Sequence, residues 1–154
     1  MDINDALVYR PDTGEFYWKV QRSNILPGDR AGTDEHGYRT ILFEGVRYRA
    51  HRLAWFMMTG AWPAFEIDHI NRDPSDNRWA NLRDVPKAVN QQNRDKANTN
   101  NGTGYLGVRE MKGRFVARLQ VNKRYVHIGC FDTPEEAHQA YIEKKRVLHA
   151  GCEI

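Results

Sequence analysis

The densest group of residues able to do chemistry in this chain is Asp68-His69, followed by Asn77, Asn81, Asn90 and Asn93. Hydrolysis of a phosphodiester needs a base to activate water and a cation to offset the charge that builds on phosphate. A histidine suits the first task, and a carboxylate that binds magnesium suits the second. Adjacent side chains diverge at a strand end, so Asp68 can face a metal while His69 faces water. A histidine base also needs its other ring nitrogen held, commonly by a carbonyl or amide oxygen. Asn90 is informative for a different reason. Asn is a poor helix-interior residue, and a side-chain oxygen aimed back at the strand would justify its place.

Those residues need elements to position them. Phe65 to Asn93 reads as a short strand ending at Ile67-Asp68-His69, a loop through Asn71 to Ala80, a second strand over Leu82 to Val85, and a helix from about Pro86. Upstream, Leu7–Arg10 and Glu15–Val20 flank the turn Pro11-Asp12-Thr13-Gly14. Tyr38–Phe43 and Val46–Ala50 flank Glu44-Gly45, and His51–Thr59 forms a helix closed by Gly60. Asn93 to Thr103 is polar, has no apolar period, and reads as a linker.

Beyond the linker, Arg114 to Val121 alternates cleanly. Phe115, Ala117, Leu119 and Val121 share one face, and Arg114, Val116, Arg118 and Gln120 share the other, as in a half-buried antiparallel strand. Strands over Tyr105–Glu110 and Tyr125–Phe131 flank it, with Asn122-Lys123 as the turn into the second. Thr133-Pro134-Glu135-Glu136 is a capping box with proline in the first turn. Ala137, Ala140, Tyr141, Lys144, Val147 and Leu148 then follow a helical spacing that Gly151 ends.

Charge separates the two parts. Residues 1–101 hold 14 Lys+Arg and 14 Asp+Glu, whereas residues 105–129 hold Arg109, Lys112, Arg114, Arg118, Lys123 and Arg124 against Glu110 alone. A one-sign concentration of this kind is what a phosphate-binding surface requires. No 18-residue apolar run exists, which excludes a membrane span, and the first nine residues lack the pattern of a secretion signal. Cys130 and Cys152 form no CxxC pair. A disulfide framework and a zinc-finger site are therefore not expected.

His51-Arg52-Leu53-Ala54-Trp55, Ile67-Asp68-His69-Ile70-Asn71, Asp76-Asn77-Arg78, Asn81-Leu82-Arg83 and Asn90-Gln91-Gln92-Asn93 together resemble the phage-type HNH homing endonucleases over about residues 5–95. Asn81 lies 12 residues after His69, and Asn90 lies 21 after it. The resemblance implies a ββα-metal fold in which Asp68 and Asn90 hold one divalent ion, Mg2+ or Mn2+. It makes His69 the general base and Asn81 the residue that orients the His69 ring. Pro86 departs from the Ser or Thr that often caps the family's helix. Gly104-Tyr105-Leu106-Gly107-Val108-Arg109, Gly113 to Leu119, Ile128 to Thr133 and Glu135 to Tyr141 resemble the ethylene-response-factor type of DNA-binding domain. That domain lays its sheet in the major groove. Leu106 and His127 stand where its plant members commonly have Arg and Trp, so base preference does not transfer.

Other residues have plainer readings. Asn77 and Arg78 fit loop scaffolding or phosphate contacts better than catalysis, and His51 and Arg52 fit packing or a phosphate contact equally. Trp55, Phe56 and Met57 fit a core, while Glu66, Asp73 and Asp76 fit solvated carboxylates. The expectation is thus an α+β protein with a β-rich support (1–60), a ββα-metal core (61–95), a linker (96–103) and a DNA-binding module (104–154). It would be a metal-dependent endonuclease on double-stranded DNA, inside a bacterial host cell and with a monomer favoured. Arg52, Arg78, Arg109, Arg114, Arg118, Gln120, Lys123 and Arg124 would contact DNA. The alternatives are a non-catalytic sequence-specific DNA-binding protein and a structure-specific nuclease of repair or packaging.

Overall fold

A computed structural model describes residues 1–94, 96–149 and 152. The architecture is α+β, in two compact units, Met1–Lys87 and Ala88–Ile154.

The first unit begins with a turn of helix, α1 (Ile3–Ala6), and a hairpin of β1 (Leu7–Arg10) and β2 (Glu15–Trp18). Alternation sends Leu7, Tyr9, Phe16 and Trp18 inward, and these four begin the core. A three-stranded meander follows, β3 (Thr33–Glu35), β4 (Tyr38–Phe43) and β5 (Val46–Arg49). Glu44-Gly45 turns β4 into β5, both residues at positive φ, the twist that two-residue hairpins favour.

Helix α2 (Ala50–Thr59) runs straight out of β5 and stops at Gly60, whose N–H returns to the Phe56 carbonyl at 2.8 Å. Leu53 and Ala54 pack with Ile41, Phe43, Ile67 and Leu82 in the core, and Trp55, Phe56 and Met57 lie half-buried at its margin. Strands β6 (Glu66–His69) and β7 (Leu82–Val85) pair antiparallel, with Asp68 opposite Arg83 and His69 opposite Leu82. Between them the chain makes a polar loop and one 3-10 turn, Trp79–Asn81. Helix α3 (Lys87–Gln92) follows, and the division between the units falls after its first residue.

The second unit is a sheet in the order β10-β9-β8, built from β8 (Val108–Met111), β9 (Arg114–Val121) and β10 (Arg124–Phe131). Helix α4 (Pro134–Leu148) covers one face of it, with Val108, Ala117, Leu119, Ala137 and Tyr141 as the core. Strand β8 starts at Val108 rather than Tyr105, because Gly107 turns at φ 79° beneath the Tyr141 ring. A Cβ there would stand 2.0 Å from that ring. Thr133 caps α4 by accepting from Glu136 N at 3.3 Å.

The buried line of α4 corrects the sequence reading. Ala137, Tyr141 and Lys145 face inward, Lys144 is exposed, and Val147 is 78 % exposed. Steps of four keep 137, 141 and 145 in one row, and position 147 lies across the helix from 145. Lys145 serves because its apolar stem packs while its ammonium donates to the Arg94 carbonyl. Gly151, expected to end this helix, lies outside the described residues.

Candidate functional site

Asp68 and His69 close strand β6 and are buried, at 6 % and 7 % exposure. Antiparallel pairing sets Arg83 across from Asp68, and its guanidinium grips Asp68 Oδ2 through Nε at 2.8 Å and an η nitrogen at 2.7 Å. Buried carboxylates are ordinarily paired in this way.

The ring of His69 meets Asn77, whose Oδ1 lies 3.2 Å from Nε2. The Asn77 amide nitrogen donates to the Ser75 carbonyl at 3.3 Å, which fixes the amide so that its oxygen faces the imidazole. Nε2 is therefore the protonated nitrogen of the neutral ring, and Nδ1 carries the lone pair. Burial lowers the His69 pKa below its ordinary value, while the Asn77 bond and the Asp68 charge oppose that shift. Loss of hydration from the charged form outweighs both.

The sequence suggests loop scaffolding or a phosphate contact for Asn77, and in the structure its side chain supplies the oxygen that meets the ring. The side chain of Asn81 bonds Asn71 N at 2.9 Å, Asn71 Oδ1 at 2.9 Å and the Asp76 carbonyl at 2.7 Å. Its own carbonyl accepts from Ile70 N at 2.9 Å. Asn81 thus ties the start of the loop to the residue before Asn77. The one signal in the sequence for this division of labour was the crowding of amides within one short loop.

The N-terminal hairpin reaches the same loop. Tyr9 Oη donates to the Asn77 carbonyl at 2.7 Å in a buried contact, and burial raises the phenol's pKa. Trp79 N donates to the Pro11 carbonyl at 2.9 Å. Gly14 lies so close beneath that a Cβ would stand 2.5 Å from the Asn77 carbonyl carbon. Nothing local in residues 9–14 announces this role, because the contacts span 68 residues of chain.

Asp76, expected to be solvated, is only 13 % exposed at its side chain and holds Arg78 at 2.6 and 2.8 Å. The Arg78 bond, aided by Asn71, pulls its pKa down to about 2. Arg52 donates to the Phe65 carbonyl at 3.2 Å. His51 lies edge-on to His69, with ring centroids 5.2 Å apart.

A divalent ion here would draw on Asp68. Magnesium commonly takes one or two carboxylates and completes its shell with water and substrate phosphate. The buried carboxylate of Asp68 fits one place in such a donor set. Asn90 is half-buried on α3, in the second unit. Among the described residues no group of three or more His, Cys, Asp and Glu stands close enough to hold a metal ion.

In the second unit, strand register gathers Arg109, Arg118, Gln120, Tyr125 and His127 on the sheet face opposite α4. Arg118 lies over the Tyr125 ring at 4.3 Å, and Tyr125 is 61 % exposed. Arg114 pairs with Asp132 at 3.1 Å. Lys123 sits at φ 65° in the β9–β10 turn, and Arg124 follows, exposed. The face is cationic, amide-bearing and aromatic, which suits nucleic acid.

Residues 48–92 match a family model described as HNH endonuclease. The match takes in α2, β6, β7 and α3, hence Asp68, His69, Asn77, Asn81 and Asn90. No solved structure matches the chain. An HNH endonuclease domain implies a phosphodiester hydrolase acting on DNA, and such nucleases generally use a divalent metal. Among the described residues no helix is long and apolar enough to cross a membrane.

Proposed function

We propose that this chain cleaves double-stranded DNA by His69-catalysed hydrolysis. The arrangement of His69 carries the reading: a buried imidazole, neutral by burial, whose Nε2 is committed to Asn77. Nδ1 of that tautomer takes a proton from water, the water oxygen bonds to phosphorus, and the bond to the 3′ oxygen breaks. Asn77 fixes the ring, and Asn81 holds the loop that presents Asn77. Asp68 would help to hold one Mg2+ or Mn2+ ion, which when bound would stabilise charge on the phosphate and on the leaving oxygen.

Arg109, Arg114, Arg118, Gln120, Lys123 and Arg124 bind the duplex, with the sheet face of the second unit in the major groove. Arg52 and Arg78 add phosphate contacts from the first unit. Support comes from the register that gathers Arg109, Arg118 and Gln120 on one face, and from the likeness of residues 104–154 to ethylene-response-factor domains. The pairing of these two parts supports a homing-type nuclease of phage origin, working in the cytoplasm of the host.

The test is incubation of the full chain with supercoiled plasmid in magnesium, in EDTA, and as His69→Ala. Relaxation or linearisation should occur in magnesium, stop in EDTA, and be lost in the variant while plasmid is still retarded on a gel. Retardation without cleavage in any divalent metal would overturn the enzymatic reading in favour of a DNA-binding protein.

A further inference from the structure

His51 is a second imidazole at the catalytic base. It lies in the first turn of α2 and is 9 % exposed. Its ring is perpendicular to that of His69, at 88°, with centroids 5.2 Å apart. Tyr38 closes on both rings, at 5.5 Å from His51 and 6.3 Å from His69.

Buried polar side chains ordinarily hold a hydrogen-bond partner. Among the described residues the His51 ring makes none. Among the described residues neither of its nitrogens is a fully enclosed, unpartnered atom. The exposure that His51 keeps therefore includes its polar atoms. A ring that served only to pack would gain more as Phe or Leu, without the cost of desolvating two nitrogens.

Burial, the neighbouring His69 ring, Arg52 and Arg49 together hold the His51 pKa down to about 3. At neutral pH the ring is uncharged and keeps one N–H. A neutral donor at the margin of a buried site stabilises charge that develops on a substrate oxygen, without competing for the metal or for the base's proton. In-line attack places water and phosphorus about 3–3.5 Å apart. Two rings spaced as these are can serve both ends of that approach.

We propose that His51 donates its imidazole N–H to a non-bridging oxygen of the scissile phosphate, facing the water that His69 activates. The proposal rests on the nuclease reading above and gives His51 a direct catalytic contact.

His51→Phe keeps a flat ring and removes the donor, whereas His51→Gln keeps an N–H. In magnesium, the full chain carrying His51→Phe should nick supercoiled plasmid about 100-fold more slowly, a far larger change than any in its plasmid affinity in EDTA. His51→Gln should recover most of that rate. A Phe variant that cuts at the wild-type rate, or a Gln variant as slow as Phe, would overturn the proposal. A readout free of catalysis is the histidine side-chain nitrogen spectrum of the wild-type chain in EDTA, titrated with a short DNA duplex. The His51 N–H resonance should move downfield on binding, and a resonance that stays put while the duplex binds overturns the contact. Movement of that resonance in a protein that cuts no DNA would remove the nuclease reading and leave the phosphate contact standing. Should either variant fail to fold by circular dichroism, the wild-type spectrum decides alone.

Discussion

Asn77 Oδ1 lies 3.2 Å from Nε2 of His69, eight residues back along the chain. The contact joins the end of a strand to the middle of an irregular loop, and it sets which ring nitrogen carries the proton. Asn77 is 3 % exposed and is held from three sides. Its amide nitrogen reaches Ser75, its carbonyl accepts from Tyr9, and Gly14 abuts its backbone.

Asn77→Ala removes the oxygen that fixes the ring and leaves Nε2 unbonded to this loop. Nicking should fall by about 100-fold, the effect of a misplaced catalytic group, with DNA affinity in EDTA unchanged. Steady-state rates on plasmid measure it. A drop in affinity with kcat preserved would assign Asn77 to DNA contact instead.

Tyr9→Phe keeps the ring that packs on Phe16 at 4.8 Å and deletes one buried donor. The stability cost should be about 1 kcal/mol, read as a lower denaturant midpoint. Nicking should fall by less than for Asn77→Ala. In the double variant the two rate losses should not add, because Tyr9 acts on the base through Asn77. Gly14→Ala, whose Cβ would meet the Asn77 backbone at 2.5 Å, should cost more stability than Tyr9→Phe.

Acid should weaken the fold in a window that belongs to the two histidines. Their folded pKa values lie below the ordinary 6.5, that of His51 at about 3. The native state then binds fewer protons than the unfolded chain, so stability is full above about pH 6.5 and is lost as pH falls toward 3. Between pH 6.5 and 5 the His51 contribution is on the order of 1–2 kcal/mol. Asp76, held near 2 against an ordinary 3.8, takes no part until the pH is lower still. Thermal midpoints at pH 7 and pH 5 should differ by several degrees, and His51→Phe should shrink the difference. An equal shift in that variant would show that other groups carry the dependence.

Arg118→Ala should weaken DNA binding and flatten the dependence of log affinity on log salt by about one unit, if the guanidinium meets a phosphate. A weaker complex with an unchanged slope would assign Arg118, which lies over Tyr125 at 4.3 Å, to base contact. Fluorescence anisotropy across a salt series separates these outcomes.

Much of the framework could be read from local pattern. Turn residues located β1, β4 and β10 and alternation located β9 to within a residue or two, Gly60 stopped α2, and Thr133 capped α4, because these signals act between near neighbours in the chain. The helical stripe of α4 was read less well. Apolar spacing favoured Val147 and Leu148, while the row that meets the sheet runs through Lys145, a residue type that periodicity counts as polar. Burial of a long stem with its ammonium on a carbonyl is settled by what lies opposite, not by composition.

The sequence by itself determined which residues stand together: an aspartate and a histidine side by side at a strand end, amides at fixed intervals after them, and a cationic alternating strand near the C-terminus. Tertiary structure decided which amide does which task. Asn77 and Asn81 are the same residue type four positions apart in one loop, and no local rule separates them. Tyr9, Pro11 and Gly14 set the height of the loop from more than 60 residues away, so that Asn77 meets the imidazole and Asn81 meets the backbone. His51 likewise shares no sequence neighbourhood with His69, and only the packing of α2 against β6 brings the two rings edge to face.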